Sequence, residues 1–308
     1  MGTAVDSTDV LLFGTMGDIG PEVKGLLEAC GLVVAAVPFP QNVFHNEPGY
    51  RRGLTRAIAC HKPATVFPIG HPLAMSRYKS LVESGVPLQD ILKCRRVAPE
   101  WEEAVYNTKI VVESEETVRL LDSKVRFHAM AKELGIAVPA VFDTPEDIPD
   151  GRQVVFKRDI SFGGHGVHLP RSGEALQNLI AHQSPGEPYL IEEYIDGTDF
   201  CLDAVRWSGG MAAGGYACTS SRGLGPAQER KVLPDGDKTL EEMTLCAKTI
   251  LDHLDYHGVC GFDFRKDTSG NILLLESNPR FTGGVASQAA AGFDIPWALY
   301  RITPLPPC

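Results

Sequence analysis

The chain has 308 residues, 44% of them apolar, and a formal charge of -10 at neutral pH. That length exceeds what one small core fills and suits two or three subdomains. The acidic balance argues against non-specific binding to nucleic acid or anionic membranes, leaving room for a local basic pocket.

No apolar run approaches the length that spans a bilayer, and the first residues lack the basic flank and apolar core of a signal peptide. The eight cysteines form no Cys-x-x-Cys pair. Reduced core thiols in a cytoplasmic enzyme are therefore expected, rather than a zinc or thioredoxin-like centre.

Residues 10–13 and 32–37 are short apolar runs flanking a Gly-rich turn and a helix near 21–30. Residues 64–69 and 109–113 are further strand candidates. Strands alternating with helices predict a parallel α/β domain over 1–115. A helix is expected at 122–134, capped by Asp122 or Ser123 and followed by Gly135. Strands at 153–157 and 188–193 flank a glycine loop and a helix near 173–182. Residues 200–206 and 211–218 read as an antiparallel pair turning at Ser208-Gly-Gly210. A long helix over 238–256 follows. The last two strands carry Asp263, and Glu276 with Asn278, joined by a turn at Asp267-Thr-Ser-Gly270. Side chains two apart on a strand share a face. Asp263, Glu276 and Asn278 are thus oxygen donors that could converge on a hard cation such as Mg²⁺, which fills its remaining positions with water and phosphates.

Four features precede that pair. Lys124 lies in the helix before the strand that ends in Lys157. The loop Ser161-Phe-Gly163-Gly164-His-Gly166 can bring backbone N–H groups close to phosphate oxygens. Glu192 and Glu193 end a strand, and Asp199 follows a short linker through Ile195. On one strand, Glu192 and Glu193 cannot both face inward.

In this order, joined to Asp263 and Glu276-Ser-Asn278-Pro-Arg280, these features resemble the ATP-grasp superfamily over about 115–300. The pattern is most similar to the carbamoyl-phosphate-synthetase and biotin-carboxylase branch. The resemblance implies a pre-ATP-grasp α/β domain (1–115), a lid subdomain (116–195) and a larger mixed sheet with the metals (196–308). It implies that Lys124 and Lys157 contact ATP phosphates beneath the loop of Gly163, Gly164 and Gly166. Glu192, Glu193 and Ile195 would lie at the adenine, and Asp199 would stand where a ribose-binding Glu is more usual. Asp263, Glu276 and Asn278 would hold two Mg²⁺ ions, with Mn²⁺ able to substitute. Arg280 would sit over the reacting carboxylate. The basic segment 219–231, with Arg222 and Arg230, reads as a second lid. The implied activity joins a carboxylate to an amine through an acyl phosphate, on amino acids or small peptides, giving ADP and phosphate. The implied partners are small molecules, with a homodimer compatible.

Other readings stand beside this one. They are a carboxyphosphate-type enzyme needing partners, a nucleotide-binding protein without turnover, and an NAD-dependent oxidoreductase using Gly14-Thr-Met-Gly17-Asp-Ile-Gly20. The last lacks an acidic residue at the end of the second strand. His253 and His257 have i, i+4 spacing but no third zinc ligand nearby, and a helix C-terminus favours His in any case.

Overall fold

A computed structural model describes residues 8–15, 17–38, 46–161, 164, 166–219 and 229–303. The first part is a parallel sheet of β1 (Val10–Thr15), β2 (Val34–Pro38), β3 (Thr65–Pro68) and β4 (Lys109–Ile110), in the order β2-β1-β3-β4. It is wrapped by α1 (Ile19–Ala29), α2 (Glu47–His61), α3 (Pro72–Glu83), α4 (Leu88–Ile91) and α5 (Pro99–Tyr106).

The continuous apolar runs at β1 and β3 arise because both sheet faces are covered. Leu11, Phe13 and Val66 pack with α2 and α3, whereas Val10, Leu12 and Phe67 pack with α1 and the C-terminal helices. The order reverses direction between β1 and β3, so the loops leaving their C-terminal ends flank a topological switch point.

The helix expected at 122–134 is α7 (Lys124–Glu133), capped by Ser123, and a further helix, α6 (Glu115–Asp122), runs directly into it. Ser123 is extended, and its hydroxyl accepts the Arg126 N–H, which starts the second helix. Leu121, Phe127, Met130 and Ala131 pack onto the large C-terminal sheet.

A three-stranded antiparallel sheet follows, β6-β5-β7, built from β5 (Val154–Arg158), β6 (Val167–His168) and β7 (Tyr189–Glu193). Helix α8 (Gly173–Ala181) closes it through Leu176, packed on Val154, Phe156 and Ile191.

The largest sheet is antiparallel, in the order β10-β9-β8-β11-β12. Its strands are β8 (Gly197–Trp207), β9 (Gly210–Thr219), β10 (Glu229–Val232), β11 (Gly258–Asp267) and β12 (Ile272–Asn278). On one face Phe200, Leu202, Ala204, Phe262 and Phe264 pack against α7 and α9 (Lys238–His253). Period-two alternation therefore turns Asp199, Cys201, Asp203, Gly261 and Asp263 to the other face.

β12 contains a bulge. Asp263 pairs with Glu276, but Phe264 pairs with Leu274, so Leu275 is the extra residue. Leu274 is in the core; strict alternation would send Glu276 there too. The extra residue reverses the phase. Glu276 and Asn278 join Asp263, and Ser277 turns inward to donate to the Leu121 carbonyl at 2.8 Å. The chain ends in α10 (Val285–Ala290) and α11 (Ile295–Ile302), which pack against α1.

α9 stops at His253, and Asp255 adopts a left-handed φ of 44°. His257 therefore lies beyond the helix, and its pairing with His253 is not a helical i, i+4 pair. Its backbone N–H donates to Glu113 instead.

Candidate active site

The proposed polar residues come mostly from strands and from the start of α7. Asp159, just past β5, accepts from the Ser123 hydroxyl at 2.8 Å and the Val125 N–H at 2.9 Å. That ties the start of α7 to the small sheet and fixes Lys124, whose ammonium donates to the Ser161 carbonyl at 3.1 Å and lies 3.4 Å from Glu276. Lys157 on β5 meets Glu192 on β7 at 2.5 Å, and Glu192 is 2% exposed. Glu193 faces the opposite way and pairs with Arg152. One glutamate is therefore buried and one lies at the surface, as alternation on a single strand requires.

Gly164 and Gly166 take left-handed φ values of 76° and 84°, and Gly166 sits where a side chain would meet Arg158. Gly163 and Arg222 lie outside the described residues. Asp199 is held by Arg265 at 2.6 Å, and Arg265 also donates to the Ile195 carbonyl at 3.0 Å. Sequence reasoning missed Arg265, although its place two residues after Asp263 on the same strand face was readable. Arg230 on β10 lies over the Tyr216 ring, 5.9 Å from its centre.

Asp263 receives hydrogen bonds from the Asn278 amide at 3.1 Å and the Cys201 thiol at 2.9 Å. Arg280 donates to the Asn278 side-chain oxygen at 3.0 Å. Burial and then the negative charge of Glu276 push the Asp263 carboxyl up to about 7. Burial would raise Glu276 as well, but the Lys124 and Lys157 ammoniums outweigh it and hold that carboxyl below its usual range. Two acids pushed apart in this way, flanked by three cations, form a place for additional positive and phosphate charge. Among the described residues no cluster of three His, Cys, Asp or Glu could hold a metal. Two carboxylates and an amide oxygen fit Mg²⁺, which keeps positions for water and phosphate.

Below the acids, Gly261 leaves no room for a side chain: a Cβ there would lie 2.2 Å from the Thr282 methyl carbon. Gly261→Ala is expected to destabilise the protein by about 1–3 kcal/mol, read as a lower Tm.

Asp203 is lifted to about 6, chiefly by burial, against hydrogen bonds from Thr282 and Gln288 that act in the other direction. A carboxyl whose folded value exceeds its unfolded one contributes stability below the unfolded value near 3.8 and loses it as pH rises through about 6. Asp203→Asn does not titrate. Its stability relative to the wild type is expected to rise by about 2–3 kcal/mol between pH 4 and pH 7, measured by thermal unfolding at each pH.

Comparison with known proteins bears on the fold. Residues 186–303 match the family described as ATP-grasp in the biosynthetic pathway with Ter operon. Over those residues the chain is similar to that ATP-grasp family. The biotin carboxylase of Campylobacter jejuni superposes with a TM-score of 0.69 at 17% identity, covering 97% of this chain and 72% of that one. The L-amino acid ligase of Bacillus licheniformis gives 0.63 at 15%, covering 96% and 74%. These likenesses show that the chain shares its fold with both proteins. In sequence, the chain is 29% identical over 176 residues to a 5-formaminoimidazole-4-carboxamide-1-(beta)-D-ribofuranosyl 5'-monophosphate synthetase of Methanosphaera stadtmanae, covering 49% of this chain and 47% of the relative. The chain spans less than half the length of the curated relatives it matches. Among the described residues no helix is long and apolar enough to cross a membrane.

Proposed function

We propose that the chain is an ADP-forming carboxylate–amine ligase working through an acyl phosphate. The observation that carries this reading is the placing of Asp263, Glu276 and Asn278 on one sheet face, between Lys124 on one side and Arg280 on the other. A γ-phosphoryl transfer to a carboxylate brings anions together, so its catalysis is mostly positioning and charge neutralisation. Lys157 and Lys124 are the cations for the ATP phosphates, covered by the loop of Gly164 and Gly166. The backbone around Ile195 and the Arg265–Asp199 pair form the nucleoside end. Asp263, Glu276 and Asn278 would hold Mg²⁺, which supplies charge neutralisation at the phosphates when bound.

Arg280 holds the carboxylate of the acid in line for attack on the γ-phosphorus. The carboxylate oxygen forms the new P–O bond as the bond to ADP breaks. An amine then attacks the acyl carbon, phosphate leaves, and the amine proton passes to solvent or phosphate. Arg280 stabilises the oxyanion of that step. Arg230 is held on β10 against β9 and the Tyr216 ring, so it belongs to the sheet rather than to a lid. The division into 1–115, 116–195 and 196–308, a cytoplasmic setting and a preference for amino acids or small peptides belong to the same proposal. The fold likeness to an L-amino acid ligase supports the last of these. β2 ends in Ala35-Ala-Val-Pro38 with no acidic residue, which disfavours the nicotinamide reading.

ADP release with Mg²⁺-ATP, screened over amino acids and dipeptides singly and in pairs, tests the reading. Turnover that needs two substrates supports it; nucleotide binding with no turnover across acids, amines and bicarbonate counts against it.

A further inference from the structure

Beside Arg280, on the face of β8 that looks the same way as Asp263, lies a buried charge that the proposed reaction does not use. Asp203 is 0% exposed. Its carboxylate accepts from the Thr282 hydroxyl at 2.7 and 2.8 Å and from the Gln288 amide. Both donors belong to one stretch, residues 280–290, which follows β12 and begins with Arg280 itself. Residues 279–284 have neither helix nor strand to hold them. The Arg280 guanidinium is bonded to Asn278 and to the Phe281 carbonyl, hence to its own end of the chain. Where Arg280 stands therefore depends on what fastens 280–290 to the sheet.

The fastening is close on every side. Gly261 admits the Thr282 methyl group, and Gly284 lies against the Tyr216 ring, where a Cβ would approach to 2.1 Å. The Tyr216 hydroxyl is 3.5 Å from the Thr282 hydroxyl, and the Arg230 guanidinium sits 3.0 Å from the place of a Gly283 side chain. An apolar side chain at 203 would fill the same space without the desolvation that a buried carboxylate suffers. Packing alone does not explain the acid; two donors on one segment, with the Thr282 hydroxyl shared between both carboxylate oxygens, do.

We propose that Asp203 is a positioning residue: through Thr282 and Gln288 it anchors residues 280–290 to the sheet and so sets where Arg280 meets the acid substrate. The consequence for turnover rests on the acyl-phosphate reading above. The anchoring does not.

The test uses Asp203→Ala and Thr282→Val, with Asp203→Asn and Thr282→Ser as conservative partners. Asparagine keeps an acceptor oxygen, and the Gln288 oxygen, which has no partner among the described residues, can take the new amide proton by a flip. The disruptive pair is expected to raise KM for the acid and lower kcat by about 10–100-fold, with the Kd for Mg²⁺-ATP within about twofold of wild type. The conservative pair is expected to recover most of the loss. Backbone hydrogen–deuterium exchange should rise in 280–290 for the disruptive variants, with β11 and β12 unchanged. Exchange in 280–290 that stays at the wild-type level in folded Thr282→Val would overturn the anchor, as would an acid KM and kcat equal to wild type. A parallel loss of ATP affinity would also overturn it, since that marks a general structural role. If the wild type proves inert towards every acid, the reading of the reaction fails, and the exchange result still decides the anchor.

Discussion

Glu276→Gln is expected to lower ADP formation by at least ~10³-fold while leaving the protein folded. Glu276 is the carboxyl held ionised, by Lys124 and Lys157, in the centre of the site. It opposes Asp263 directly across β11 and β12. Glutamine keeps the shape and an oxygen but removes the charge that a cation and the Lys124 ammonium both require. With that charge gone, one cause of the raised Asp263 carboxyl disappears as well, so Asp263 titrates lower. A near-normal Tm with lost turnover is the expected pair of results. Unimpaired ADP formation by the folded variant would remove Glu276 from the metal site.

Arg280→Ala is expected to split binding from chemistry. The nucleotide contacts assigned to Lys124, Lys157 and the Ile195 region are untouched, so the Kd for Mg²⁺-ATP stays within a few-fold of wild type. Product formation falls by about 10²–10³-fold, because one donor to the developing charge is gone. The Asn278 oxygen also loses its partner at 3.0 Å, so Arg280→Lys is the milder control: it keeps the charge and loses the fork geometry. Calorimetric titration beside a product assay separates the two effects. Equal loss in both would make Arg280 a structural residue, and loss in neither would end its assigned role.

The parts of this site that were legible in the sequence are those set by local rules. The β11–β12 pair, its turn at Asp267 and the acids it carries follow from alternation and turn chemistry; Asp267 accepts from Ser269 and Asn271 within the turn. The β8–β9 hairpin and the long α9 were equally readable. Ser123 was readable as a cap but not as a break between two helices, because its extended backbone depends on Asp159 reaching across from β5. The bulge at Leu275 left no signal in Ile272-Leu-Leu-Leu-Glu276: four apolar residues in a row do not say where the phase slips. Yet without it Glu276 would face the core. Helices α2, α3, α10 and α11 went unread because their patterns are interrupted by glycine, proline and polar residues that tertiary packing accommodates. Asp203, Thr282 and Gln288 are scattered along the chain and meet only in the folded structure, and Arg265 reaches Asp199 only through the register of β8 and β11.

Activation of an acid by the γ-phosphoryl group of ATP transfers one of the acid's own oxygens to phosphate. It is tested most directly with a carboxyl-¹⁸O-labelled acid found in the turnover screen, by measuring where the label goes. Label is expected to move from the acid into the released inorganic phosphate, with ADP as the other product. Unlabelled phosphate throughout, or AMP and pyrophosphate as products, would contradict it.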